Sequence, residues 1–85
     1  ARQWSAPGPL ASAICLRVPP GSTLRAVSED LGAQGAIASP AVFRIGADYA
    51  GRSADLKAGS FLVPERASMR EIVDLVTRGG ASTCG

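Results

Sequence analysis

The chain has 85 residues, of which 46% are hydrophobic, and its formal net charge is +2. A chain of this length forms one small domain, and its basic residues are dispersed among acidic ones rather than gathered in a stripe, which argues against a nucleic-acid partner. The sequence has no histidine and no long apolar run, so zinc sites with His ligands, Ser-His or Cys-His catalysis and a membrane-spanning segment are excluded within these residues.

The first part of the chain differs in composition from the rest. Residues 1–12 contain Pro7 and Pro9, and they are expected to form an extended lead-in to a domain over residues 13–85. Trp4 is the single tryptophan. It fits either a residue at a membrane interface or a plug over the edge of the core.

A strand and a helix are predicted next. Aliphatic side chains alternate with other residues over 14–18, which is typical of a half-buried strand. A Pro-Pro-Gly turn follows, and Ser22 or Thr23 can cap a helix over residues 23–34 by accepting hydrogen bonds from its free N–H groups.

The middle of the chain predicts a second helix and a second strand. Ser39 can cap a helix over residues 40–50 that starts with a proline, a residue suited to the first helical position. The predicted apolar face of this helix includes Ile45 and Tyr49. A short apolar stretch over 61–63, stopped by a proline, predicts the second strand.

The last predicted helix spans residues 69–78, and its amphipathic pattern is the clearest in the chain. Ser68 and Glu71 have the spacing of a capping box, and two glycines at 79–80 end the helix. Residues 81–85 could begin a third strand. The predicted fold class is therefore α+β, with a small two- to three-stranded antiparallel sheet packed by three helices.

The strand–turn–helix pattern occurs twice. Val18-Pro19 recurs as Val63-Pro64, and at the same offset of 45 positions the hydroxyl of Thr23 is matched by that of Ser68. This echo indicates either one structural unit used twice or the convergence of two strand-to-helix turns on similar residues.

Two motifs resemble those of LysM modules, which bind glycans built from N-acetylglucosamine. Residues 18–27 match V-x-x-G-x-T-L-x-x-[VI], and residues 56–64 resemble L-x-x-G-x-x-L-x-[VI]-P with one position fewer before the proline. Further blocks follow in order, including G-A-I-x-S-P-x-x-F-R from Gly35 and A-S-M-R-E-I from Ala67. Together they resemble the YceG-like family, the endolytic murein transglycosylases.

The resemblance implies a LysM-like domain that is itself not an enzyme. It would belong to a lytic transglycosylase whose catalytic Glu lies in a later domain and whose N-terminal anchor holds it on the periplasmic side of the bacterial inner membrane. Contact with the membrane is expected only through that anchor, which precedes the lead-in. The expected partners are peptidoglycan glycan strands and, as an alternative, other cell-wall synthesis proteins. No catalytic residue, cofactor or metal is expected in this chain.

If the domain binds glycan, the resemblance places the groove between two turns. The first lies before the first helix and the second lies before the second strand. The candidate residues are Pro20, Gly21, Ser22, Thr23, Asp55, Leu56, Lys57 and Ala58. Turn geometry and helix capping also explain Gly21, Ser22 and Thr23, and neither turn has an aromatic side chain to stack on a sugar.

The two cysteines lie near opposite ends of the chain. A periplasmic location would permit a disulfide between Cys15 and Cys84, and closing so long a loop would stabilise the fold by about 4 kcal/mol in the chain-entropy model. The alternative is a buried Cys15 with a free Cys84.

Overall fold

The computed structural model describes residues 2–78 and 82–85, and it shows an α+β fold. Four helices and a two-stranded sheet follow one another along these residues. The elements in chain order are α1 (Arg2–Ser5), β1 (Ile14–Val18), α2 (Leu24–Ala33), α3 (Pro40–Tyr49), β2 (Gly59–Val63) and α4 (Met69–Thr77). The predicted fold class is confirmed, as are the three longer helices and both strands to within two residues at each end.

The two strands pair in antiparallel fashion. Ile14 lies opposite Val63, and Val18 lies opposite Gly59, so the end of β1 is beside the start of β2. Leu16 and Phe61 are register partners on the inner side of the sheet, and both are buried. The alternation predicted from the sequence therefore places one side of the sheet in the core.

The three longer helices begin at the hydroxyl residues predicted to cap them. The Thr23 hydroxyl accepts a hydrogen bond from the Ala26 N–H at 3.1 Å, and Ser39 plays the same role for α3. At α4 the capping box is complete, because Ser68 accepts from the Glu71 N–H at 3.1 Å and the Glu71 carboxylate accepts from the Ser68 N–H at 2.8 Å. These side chains take up N–H groups that have no partner within the helix.

One hydrophobic core joins the inner side of the sheet to all three longer helices. Its largest fully buried members come from both strands and from each of these helices: Leu16, Val18, Leu31, Phe43, Val63, Ile72, Val73 and Val76. Most of the core is aliphatic, as the scarcity of aromatic residues requires.

The repeated pattern in the sequence corresponds to repeated backbone geometry. In the first turn the Ser22 N–H donates to the Pro19 carbonyl at 3.1 Å, and in the second the N–H of Ala67 donates to the carbonyl of Pro64 at 3.2 Å. The third residue has a positive φ in both turns, 79° at Gly21 and 59° at Arg66. The two strand-to-helix units thus share a turn as well as a cap.

The N-terminal residues differ from the expected extended lead-in. Arg2–Ser5 form one helical turn, and the chain then returns to the body of the domain. The Gly8 N–H donates to the Arg66 carbonyl at 2.9 Å, the Arg66 N–H donates to the Leu10 carbonyl at 3.0 Å, and the Leu10 side chain is buried. The proline-rich composition did not predict this packing, because the contacts are made by the residues between and after the prolines.

The C-terminal residues run beside the outer edge of β2. Ser82 and Thr83 accept hydrogen bonds through their hydroxyls from the N–H groups of Ser60 and Leu62, at 3.1 and 2.8 Å. Residues 82–85 do not form a strand. The helix end predicted at 79–80 and the start of the expected third strand at residue 81 lie outside the described residues.

A disulfide joins Cys15 of β1 to Cys84, with Cα atoms 5.9 Å apart. The bond fastens residues 82–85 across the exposed side of the sheet, where Cys15 lies opposite Leu62. Within residues 2–78 and 82–85, every helix is too short or too polar to cross a membrane.

Candidate functional site

The two turns predicted to bind glycan adjoin the same end of the sheet. Residues 20–23 follow the end of β1, and residues 55–58 lead into the start of β2. Because Val18 and Gly59 are register partners, the antiparallel pairing brings both turns to that end.

The polar side chains of the first turn are engaged in local hydrogen bonds. The Ser22 hydroxyl donates to the Pro19 carbonyl at 2.6 Å, and the Thr23 hydroxyl caps α2. Gly21 has the positive φ that this turn requires, while Pro20 is exposed. The turn therefore presents backbone and ring surface, and Ser22 retains acceptor capacity for an incoming hydroxyl or amide.

The second turn is attached to the core by one side chain and one backbone hydrogen bond. Leu56 is half-buried against the core, and the N–H of Lys57 donates to the Val76 carbonyl at 2.8 Å. The side chains of Asp55, Lys57 and Ala58 are exposed. This turn offers one carboxylate and one ammonium group on a backbone that is held in place.

A shallow cavity of 250 Å³ lies beside the first turn. It includes Pro19 and Ser22, and the charged side chains of Arg17 and Asp30 contribute to its walls. None of its lining residues comes from residues 55–58. The structure thus brings the two turns to one end of the sheet, and the cavity belongs to the first turn alone.

A second surface, which the sequence analysis missed, lies between α1 and α3. Ile45 and Tyr49 were expected on the apolar face of α3 that packs on the core, and this was wrong: they are 69% and 94% exposed. Phe43 and Ala47 are the residues of α3 that are buried. Because Ile45 lies two positions from each of them, helical periodicity places it on the opposite side, and this spacing could have revealed the exposed stripe.

This exposed stripe forms one wall of an apolar groove with a volume of 410 Å³. We call it the α1–α3 groove, and it is lined by Trp4, Val42, Ile45, Gly46, Tyr49 and Ala50. Trp4 is half-buried and its ring lies directly on Gly46, where an added Cβ would overlap the indole. Trp4 therefore covers the edge of α3, which matches the plug expected as one of its two roles.

Three arginines and one carboxylate line a cavity next to this groove. Arg52 and Arg78 each approach Asp74 with a nitrogen–oxygen distance of 3.6 Å, and Arg70 lines the same cavity of 260 Å³. Arg52 also donates to the Thr77 hydroxyl at 3.0 Å. We call these four charged residues the arginine cluster. Trp4 and Ala50 line both the cluster and the α1–α3 groove.

Comparison with known families identifies the chain. The model of the YceG-like family matches residues 16–84, which is most of the sequence and includes both strand-to-helix turns and the helices that follow them. The chain belongs to the YceG-like family. None of the curated proteins compared with this YceG-like chain matches it. Membership relates the chain to the cell-wall transglycosylases, since YceG-like proteins are generally lytic transglycosylases.

Several acidic residues of this YceG-like chain have structural contacts. Glu71 closes the capping box, Asp74 pairs with two arginines, and Glu29 pairs with Arg25 at 3.6 Å. In the described part of the chain, no group of three or more His, Cys, Asp or Glu side chains could hold a metal ion. The arrangement suits the recognition of a ligand through turns, aromatic surface and guanidinium groups.

Proposed function

We propose that this chain is a non-catalytic, LysM-like domain that positions a membrane-anchored endolytic murein transglycosylase on the glycan strands of peptidoglycan. Its place would be on the periplasmic side of the inner membrane. Family membership supports the cell-wall role. The observation that carries the glycan site is the pairing of Val18 with Gly59, which brings the turns 20–23 and 55–58 to one end of the sheet.

An NMR titration of the isotope-labelled chain with chitotetraose tests this site. We expect the amide shifts to be concentrated at residues 21–23 and 55–58. Ala58→Gln should weaken binding about tenfold, because its longer side chain would occupy the space between the turns, a loss of about 1.4 kcal/mol. Ala54→Gln is the matched control, since Ala54 is also exposed and lies just outside the proposed site. Unchanged spectra at millimolar ligand would contradict the proposal.

The absence of catalysis in this domain is tested separately. Purified peptidoglycan incubated with the 85-residue chain should keep its turbidity and release no products with 1,6-anhydro ends. Release of such products by the pure chain would show that the active groups lie within it.

A second candidate function is a protein-interaction or spacer domain in a cell-wall synthesis complex, without sugar binding. The exposure of Ile45 and Tyr49 favours it, because monomeric domains rarely expose neighbouring large apolar residues without a use. In the full-length protein, Tyr49→Ala would then impair cell-wall function while glycan binding in vitro stayed unchanged. If Ala58→Gln impairs function and Tyr49→Ala does not, this candidate is excluded.

A further inference from the structure

We propose that the α1–α3 groove and the arginine cluster together form a second glycan contact, which takes a sugar ring that carries an acidic substituent. The proposal rests on the proposed function, and it adds both a site and a ligand charge that the two turns do not supply. Its ligand class is an N-acetylated glycan bearing carboxylates, such as a peptidoglycan fragment with its peptide stem attached.

The groove supplies the surface that a sugar ring needs. The flat side of a pyranose presents C–H groups, which pack favourably on the electron-rich side of an aromatic ring. Tyr49 is 94% exposed and Trp4 is half-buried, and both line the same 410 Å³ volume. Gly46 of α3 has no side chain beneath the indole, so Trp4 packs directly on the helix backbone and leaves the groove open above it.

The arginine cluster supplies the charge. Three guanidinium groups and one carboxylate line this cavity, and Asp74 pairs with only two of the three, which leaves a local excess of two positive charges. Arg70 is exposed and, within the described residues, has no acidic side chain within 4.0 Å. Guanidinium groups pair with carboxylates through two parallel hydrogen bonds, so an acidic ligand would offset this excess.

The α1–α3 groove and the arginine cluster adjoin each other, and this indicates a ligand that has both an apolar and an acidic part. The Trp4 side chain lines both cavities, so a ligand on the groove has its next group at the arginines. A neutral glycan would use only the aromatic part, and a purely apolar helix would leave the arginines facing uncharged groups. A sugar ring with a carboxylate a few bonds away matches both parts.

Isothermal titration of the intact chain with two ligands of similar size tests the proposal. One ligand is a disaccharide-tetrapeptide fragment of peptidoglycan, and the other is neutral chitotetraose. We expect the acidic fragment to bind more tightly, with an advantage that falls between 50 and 300 mM NaCl because exposed charges are screened by salt. Tyr49→Ala should weaken binding of the fragment about fivefold, and Arg70→Gln about threefold, at the lower salt concentration.

Matched variants separate this site from the rest of the surface. Leu62→Ala removes an exposed apolar residue on the opposite side of the sheet, and Arg25→Gln removes an exposed arginine on α2; neither should change the affinity. Tyr49→Ala and Arg70→Gln alter exposed side chains, so the folded NMR spectrum should be kept.

The outcomes distinguish this inference from the proposed function. Shifts confined to residues 21–23 and 55–58, with no effect of Tyr49→Ala, would overturn the second site and keep the first. Shifts at Gly46, Tyr49 and the Trp4 indole would support the second site. Equal binding of the free tetrapeptide, or stronger binding to vesicles of phosphatidylglycerol, would overturn it in favour of an acidic peptide or a lipid surface. No binding of any ligand would overturn both.

Discussion

The two strand-to-helix turns share their backbone geometry and differ in what packs on them. Each has an N–H bond back to a proline carbonyl and a left-handed third residue, Gly21 in the first turn and Arg66 in the second. The first turn is exposed at the end of the sheet. In the second, both backbone polar groups of Arg66 bond the N-terminal segment, through Gly8 and Leu10. The same turn thus serves as a free surface in one unit and as a docking point in the other.

The difference shows that the local sequence determines the backbone geometry of each turn, while contacts with distant residues determine whether the turn is exposed or covered. An arginine in the left-handed conformation carries a strain of about 1 kcal/mol relative to glycine. Arg66 adopts this conformation in the second turn, where its backbone bonds residues 8 and 10. The first turn has a glycine, and among residues 2–78 and 82–85 no other segment bonds the backbone of that glycine. The following predictions compare the two units.

The largest expected effect comes from the disulfide, which fastens the C-terminal residues beside the strand of the second unit. The double variant Cys15→Ser/Cys84→Ser should lower the free energy of unfolding by about 4 kcal/mol, because the unfolded chain loses a long loop constraint. Urea unfolding measures this, and wild-type protein in reducing agent is the control that should behave alike. Amide exchange at Ser60 and Leu62 should also accelerate. A change below about 1 kcal/mol would show that packing alone holds the tail.

The next largest loss of stability is expected from truncating two core side chains that occupy equivalent positions in the two units. Ile72→Ala should cost about 3.5 kcal/mol and Val27→Ala, at the same place in the first unit, about 2 kcal/mol. Both side chains are buried in the common core, and isoleucine loses one more methylene group than valine. Urea unfolding curves of the two variants measure the difference. A larger loss at Val27 would mean that the first unit contributes more to the core than burial indicates.

Removal of the two equivalent helix caps should lower the free energy of unfolding by smaller amounts. Ser68→Ala should destabilise by about 1.5 kcal/mol and Thr23→Ala by about 1 kcal/mol, since the first removes one half of a reciprocal pair and the second a single bond. Ser68 is also buried whereas Thr23 is exposed. Thermal unfolding measures both variants, with Ser53→Ala as a control outside the caps. Equal losses would show that the burial of Ser68 and its place in a reciprocal pair add nothing to its cap.

The smallest effects come from exchanging the turn residues, and their signs should be opposite. Gly21→Ala should destabilise by about 1 kcal/mol, because alanine is strained at a φ of 79° although nothing lies within 4 Å of its Cβ. Arg66→Gly should stabilise by about 0.5 kcal/mol, because relief of strain slightly exceeds the added entropy of the unfolded chain. Destabilisation by Arg66→Gly would show that the arginine side chain itself holds the N-terminal segment.

The regular elements could be predicted because each has its own local pattern. Thr23, Ser39 and Ser68 mark the helix starts, and the alternation over 14–18 marks the buried strand. The two glycan-site turns could be placed at one end of the sheet once the strands were taken as antiparallel. Whether those turns bind sugar stays a prediction.

The remaining features depend on contacts between distant residues. Nothing local shows that Gly8 and Leu10 bond Arg66, or that Trp4 lies on Gly46, because each pair is far apart in the chain. The sequence analysis missed the exposure of Ile45 and Tyr49 because it assigned the apolar residues of this short helix to one face, although their spacing separates Ile45 from the buried residues. The arginine cluster likewise forms only when α4 and the end of α3 come together.

The link between Cys15 and Cys84 also determines how the domain would carry mechanical load. Tension applied on either side of the pair would pass from one cysteine to the other across 5.9 Å, and the chain between them, with its three longer helices and β2, would not be stretched. Without that link, a chain segment with a sequence separation of 69 could extend by up to about 240 Å. The bond would therefore let this domain act as an inextensible element in a tether, with its binding surfaces kept intact while the chain on either side is under force.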